Sequence, residues 1–129
     1  MDELEISRDI EINRGSLLSL TIGALNQDKT EYEFKVDDVL RFKIMEAKNV
    51  KNVYLQKDFK VTKQSTEQEI ILTASEMKIG EIESKPIKYW YEIELNPDTD
   101  YTQTIIGYTK DDGPAILTLL PEGGDKVDK

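Results

Sequence analysis

Residues 82–121 read IESKPIKYWYEIELNPDTDYTQTIIGYTKDDGPAILTLLP, and the part that decides the fold is Ile87-Lys88-Tyr89-Trp90-Tyr91-Glu92-Ile93-Glu94-Leu95. Every odd position of that run is apolar or aromatic, and Lys88, Trp90, Glu92 and Glu94 fill the even ones. A period of two places alternate side chains on opposite faces of a strand. Asn96-Pro97-Asp98 then breaks the run, and residues 102–108 resume it with Ile105, Ile106 and Tyr108. Asp112-Gly113, a pair that tolerates positive φ, precedes a third apolar run over 115–120. Three strands joined by short turns predict a meander at the spine of an antiparallel sheet.

Outward from this spine the same alternation recurs. Leu4, Ile6, Ile10 and Ile12 share the even positions, interrupted by Arg8. That pattern is either a long strand bulged at Arg8-Asp9 or a mobile leader before a strand from Ile10. After a turn at Arg14-Gly15, Leu18, Leu20, Ile22 and Ala24 make another strand. Tyr32, Phe34 and Val36 predict a short one, Asp37-Asp38 a turn, and Leu40, Phe42 and Ile44 the next. Residues 47–52 read as a polar hinge, after which Val53, Leu55, Phe59 and Val61 form an odd-position column. Ile70 and Leu72 share one side of a strand over 68–73. Residues 74–80 are the one place where a helical turn fits, with Ser75 as cap, Met77 and Ile79 tucked under the sheet and Gly80 as stop.

About eight or nine strands with Gly, Asn, Asp and Pro turns at this spacing predict a β-sandwich or barrel. Crossover helices for a parallel sheet are missing from the pattern. The reading is all-β: a single antiparallel β-sandwich domain over residues 1–129, with its ordered core at about 10–120 and a flexible tail at 121–129. A chain of 129 residues buries roughly 65–70% of its extended surface, enough for one core.

Composition then narrows the function. The chain has no cysteine and no histidine, which removes disulfides, thiolate metal sites, imidazole catalysis and His-ligated zinc. With 26 acidic against 17 basic residues and a net charge of -9, its surface repels phosphate backbones, so nucleic acid is not an expected partner. No apolar run is long enough to span a membrane, and the first residues lack the basic start and apolar stretch of a signal peptide.

Candidate chemistry is sparse. Asp37-Asp38, Asp111-Asp112 and Asp98-x-Asp100 are pairs that can hold a cation or act as acid and base. All three sit where the chain must turn, and Asp favours turns because its carboxylate bonds nearby backbone. The oxygens and glycine of an EF-hand loop are missing. No Gly-x-Ser-x-Gly elbow, dinucleotide fingerprint or P-loop occurs. The expectation is a non-enzyme with no catalytic residue, no metal and no cofactor; only carboxylate-run glycoside hydrolysis stays conceivable.

Trp90 is the residue that draws attention. It lies on the face opposite the apolar column, beside Lys88 and Glu92. It is an interface anchor, a stacking platform for a sugar, a tryptophan covered by a loop or the N-terminal strand, or itself a core residue with the tyrosines outside. Tyr101 and Tyr108 read as cross-strand packing with their hydroxyls in solvent. Arg41, Lys43 and Lys35 form a small basic patch, either an acceptor for an acidic neighbour or simply a solvated face. The candidate interface is therefore Trp90, Lys88, Glu92, Arg41 and Lys43.

The order of features resembles the N-terminal domain of phage baseplate upper proteins, found in tailed phages and prophages of Gram-positive bacteria. The resemblance is carried by Ile10-x-Ile12-x-Arg14-Gly15 and by Tyr32-x-Phe34-x-Val36-Asp37-Asp38-x-Leu40-x-Phe42-x-Ile44. Further on it continues in Glu69-Ile70-x-Leu72-Thr73, Met77-Lys78-Ile79-Gly80, Tyr89-x-Tyr91-x-Ile93-x-Leu95, Thr104-Ile105-Ile106-x-Tyr108 and Ala115-Ile116-Leu117. It covers about residues 10–120. It implies an immunoglobulin-like sandwich that docks a tail or baseplate component into a virion, by contact with other tail proteins or with copies of itself. Members of that family carry the domain at the front of a longer chain, and little chain follows it here. No functional residue transfers, because a docking domain works by surfaces. The alternative expectation is a carbohydrate- or cell-surface-binding sandwich using Trp90 and nearby tyrosines.

Overall fold

The computed structural model describes residues 8–26, 28–81 and 84–121. Among them are eight strands: β1 (Ile10–Asn13), β2 (Leu18–Ile22), β3 (Val39–Glu46), β4 (Asn49–Lys60), β5 (Gln68–Leu72), β6 (Ile87–Leu95), β7 (Gln103–Ile106) and β8 (Ala115–Leu120). The larger sheet runs β1-β8-β6-β3-β4, with β7 also on β6, and β2 and β5 form a separate antiparallel pair.

β6 is the centre, as its alternation predicts. Tyr89, Tyr91, Ile93 and Leu95 are buried, whereas Lys88 is exposed and Trp90, Glu92 and Glu94 are half-buried. One apolar cluster gathers these inward residues with Leu40, Phe42 and Ile44 of β3, Leu117 and Leu119 of β8, and Leu18, Ile22, Ile70 and Leu72 of the small sheet. The core therefore lies between the two sheets, and β2 and β5 cap it with the columns expected of them. Ile10 and Ile12 of β1 pack against it from the edge.

Several expectations are corrected. The larger sheet is mixed, because β1 pairs with β8 in parallel. The three C-terminal strands do not make a meander. β8 takes the first half of one flank of β6, from Ile87↔Leu119 to Tyr91↔Ala115. β7 takes the second half, from Ile93↔Ile106 to Leu95↔Gln103. Residues 47–52 are not a hinge: Glu46 pairs with Asn49, Lys48 turns at φ 68, and β4 begins at once.

Tyr32, Phe34 and Val36 make no strand. Only the isolated bridges Leu25↔Glu31 and Phe34↔Ser65 form there, and Val36 is exposed while Phe34 is fully buried. Residues 74–80 make no helix either. The Met77 amide bonds to the Thr73 and Ala74 carbonyls and the Lys78 amide to that of Ser75, after which the chain extends. The reason is that Met77 and Ile79 are both buried. Two residues apart, they point to different sides of a helix and to one side of an extended chain. The turn is closed not by Ser75 but by Thr73 and Glu76. The Thr73 amide donates to Glu76 Oε1 at 2.8 Å, and the Glu76 amide to Thr73 Oγ1 at 3.3 Å, a reciprocal arrangement of the capping-box kind.

A strand from Ile10 is common to both N-terminal alternatives; the residues that would separate them, Leu4 and Ile6 among them, lie outside the described residues, as do 122–129 of the predicted tail. Among the described residues no helix is long and apolar enough to cross a membrane.

Candidate docking face

The outward face of the larger sheet carries an apolar row. Trp90 of β6 is paired across the strands with Met45 of β3 and Ile116 of β8, and Met45 is paired with Val53 of β4. The row Val53–Met45–Trp90–Ile116 thus crosses four strands. Met45 is only 5% exposed, yet it lies outside the core cluster, on the face of β3 opposite Phe42 and Ile44. Val53 is 41% exposed. Tyr108, 68% exposed, brings its ring to 6.2 Å from Trp90 at an interplanar angle of 47°.

Tyr108 is held there by the N-terminal segment. The Arg8 guanidinium donates to the carbonyls of Gly107, Asp112, Gly113 and Pro114. Thr109 and Gly113 also exchange backbone bonds of 3.0 and 2.8 Å, closing the hairpin that presents Tyr108. One planar cation thereby satisfies several carbonyls of a loop that has few partners of its own.

All five candidate residues read from the sequence share this face. Lys43 and Arg41 stand opposite Glu92 and Glu94 in register. Lys43 Nζ lies 3.2 Å from Glu92 Oε2 and 4.0 Å from Glu94 Oε1. Arg41 meets Asp58 at 2.7 Å and Asp98 at 3.0 Å. The Asp58 carboxyl is held below the usual carboxylate value by its hydrogen bonds to Arg41. The predicted basic patch is therefore a laced ladder in which four carboxylates surround two cations. Lys35 is not part of it and stacks over the Tyr32 ring instead. On the other side of Trp90, Lys88 is exposed and has no acidic partner among the described residues.

The turn acids bind neighbouring groups of the protein: Asp37 meets Lys60, Asp98 meets Arg41, and Asp38 holds its own turn together. Asp38 Oδ2 accepts from the Tyr32 hydroxyl at 2.7 Å and the Lys35 amide at 2.9 Å, and Oδ1 from Asn96 at 3.2 Å. Burial pushes the Asp38 carboxyl up, but these donors outweigh it and leave it lowered. Asp37, Asn96 and Asp98 take positive φ of 80°, 51° and 65°. Among the described residues no cluster of three or more acids is arranged to hold a metal ion.

Sequence reasoning found Trp90 and its charged neighbours but not the rest of the row. The sequence puts Val53 in one column with Leu55, Phe59 and Val61; a register shift between Ile44 and Met45 skips Tyr54 and parts Val53 from Leu55, turning it outward. The signal for Met45 and Ile116 was present, since Ile44-Met45 and Ala115-Ile116-Leu117 break alternation and so put apolar residues on both faces. Tyr101 lies in the turn before β7 and is 80% exposed. No family model, curated protein or solved structure matches the chain.

Proposed function

We propose that this chain is a non-catalytic docking module of immunoglobulin-like sandwich type, which helps assemble the tail or baseplate of a phage or prophage through protein–protein contacts. The observation that carries the docking reading is the outer row Val53–Met45–Trp90–Ile116 with Tyr108 beside it. A solvent-side apolar band with a central tryptophan, rimmed by charge, has the make-up of an interface core and rim. The phage assignment rests on the resemblance over residues 10–120, with synthesis in the bacterial cytoplasm and residence in the virion.

Docking is preferred to sugar stacking because of ring geometry. Trp90 and Tyr108 are tilted by 47°, and Tyr54 meets Tyr89 edge-on at 77°. Neither pair offers the two coplanar faces that a sugar platform uses.

Mass spectrometry of tail particles purified from the bacterium that carries the gene tests the proposal. The chain is expected in the particles, and Trp90→Ala is expected to deplete it while leaving the fold intact. Particles lacking the wild-type chain would overturn the assignment.

A further inference from the structure

We infer that the outer face of the larger sheet pairs with a second copy of this chain, face to face, with β6 antiparallel to β6 of its mate. The inference rests on the docking reading and names its partner. It comes from the charges on the two sides of the apolar row. Counting along β6, Lys88 lies two residues before Trp90 and Glu92 two residues after it, all three on the same face. Lys88 has no acidic partner among the described residues, whereas the Glu92 side holds Glu92, Glu94, Asp58 and Asp98 against only Lys43 and Arg41.

Two faces related by a two-fold axis in the interface can be set in two simple ways. An axis along the strands puts Lys88 over Lys88 and Glu92 over Glu92, which repels. An axis along the apolar row lays the row on its own image, Trp90 near Trp90, and sets Lys88 of each copy over Glu92 of the other. Only the second arrangement is self-complementary, as an isologous contact must be. Lys88, without an acidic partner among the described residues, and the excess acid then neutralise each other twice per dimer.

The area suffices. Five strands at roughly 4.8 Å spacing and nine residues at roughly 3.4 Å rise give about 700 Å² per copy, near the roughly 800 Å² of a standard interface. The twist of each sheet sets the two at an angle of roughly 30°.

The test is sedimentation velocity over a concentration series for wild type, Lys88→Glu, Glu92→Lys and the double variant, with circular dichroism melts to show that each is folded. Emission of the sole tryptophan gives a second readout, shifting to the blue as the dimer forms. Wild type is expected to dimerise, each single reversal to weaken the dimer roughly tenfold or more, and the double reversal to restore it. The two single variants move net charge in opposite directions, so a loss in both is not overall repulsion; because Glu92→Lys also breaks the pair with Lys43 of its own chain, it is recovery in the double variant that reports the contact. A wild-type monomer, or a dimer indifferent to the reversals, would overturn the pairing. If that monomer is still found in tail particles, the docking reading stands and only the self-partner falls; a charge-switched dimer missing from particles does the reverse.

Discussion

Tyr91 shows how one side chain serves both the core and the outer face. Its ring packs 5.7 Å from that of Phe42 inside the core, and its hydroxyl donates to the Arg8 carbonyl. Removing the ring leaves a cavity between the sheets. Tyr91→Ala is expected to cost about 3–5 kcal/mol in urea unfolding. Tyr91→Phe keeps the packing but leaves the Arg8 carbonyl without its donor, and is expected to cost about 1 kcal/mol. Equal losses from the two variants would show that the hydroxyl, not the ring, carries the residue's contribution. Burial, with the nearby Asp9 charge, pushes the Tyr91 phenol up to about 12. The folded value lies above the unfolded one near 10, so this contribution is intact below pH 10 and is lost as pH rises through about 12.

At the scale of elements, the turn before β6 and the hairpin after β7 set what the central strand can present. Gly80 lies beyond the turn at φ +67°, and a Cβ there would lie 2.6 Å from the Tyr89 hydroxyl. Gly80→Ala is expected to destabilise by about 1–2 kcal/mol from the left-handed backbone alone, with displacement of Tyr89 adding to it; a thermal melt within error of wild type would refute this. Arg8→Ala removes the donor to four carbonyls of the Tyr108 hairpin. Amide exchange at Thr109 and Gly113 is expected to accelerate while that of β3 stays unchanged. The same elements show where sequence reading reaches its limit. The alternation of β6 separated its two faces and set Trp90 apart from the tyrosines, because a period of two depends on local geometry alone; which face is buried follows only from packing against β3, β8 and the small sheet. The parallel β1–β8 pair, the shared flank of β6 and the outward turn of Val53 depend on register between distant strands, which no single run encodes. Tyr32-x-Phe34-x-Val36 alternates like a strand, yet its backbone meets Ala24 and Ser65 only at isolated points, and the Lys35 groups turn back on Asp38.

For the whole molecule, the net charge of -9 and the carboxylates of the turns pull pH dependence in opposite directions. Lowering pH from 7 toward the pI near 4.6 neutralises excess acid and relieves self-repulsion, which stabilises the compact state. Several carboxyls oppose this. Asp58 is held down by Arg41, Glu76 by the Thr73 amide and Lys57, and Asp38 by its three donors against burial. Because their folded values lie below the unfolded ones, their contribution is complete above an unfolded value of about 4 and is lost as pH falls through the folded values. The melting temperature is therefore expected to rise modestly from pH 7 to about 5 and to drop steeply below about 4. Salt separates the two effects. Adding ~0.15 M salt shortens the screening length to about 8 Å and weakens repulsion between distant charges more than contacts at hydrogen-bond distance. The melt at pH 7 should rise with salt, and the melt near the pI should barely move. A protein whose stability at pH 7 falls with salt instead would owe more to its laced surface pairs, Arg41–Asp58 and Lys43–Glu92 among them, than to relief of its net charge.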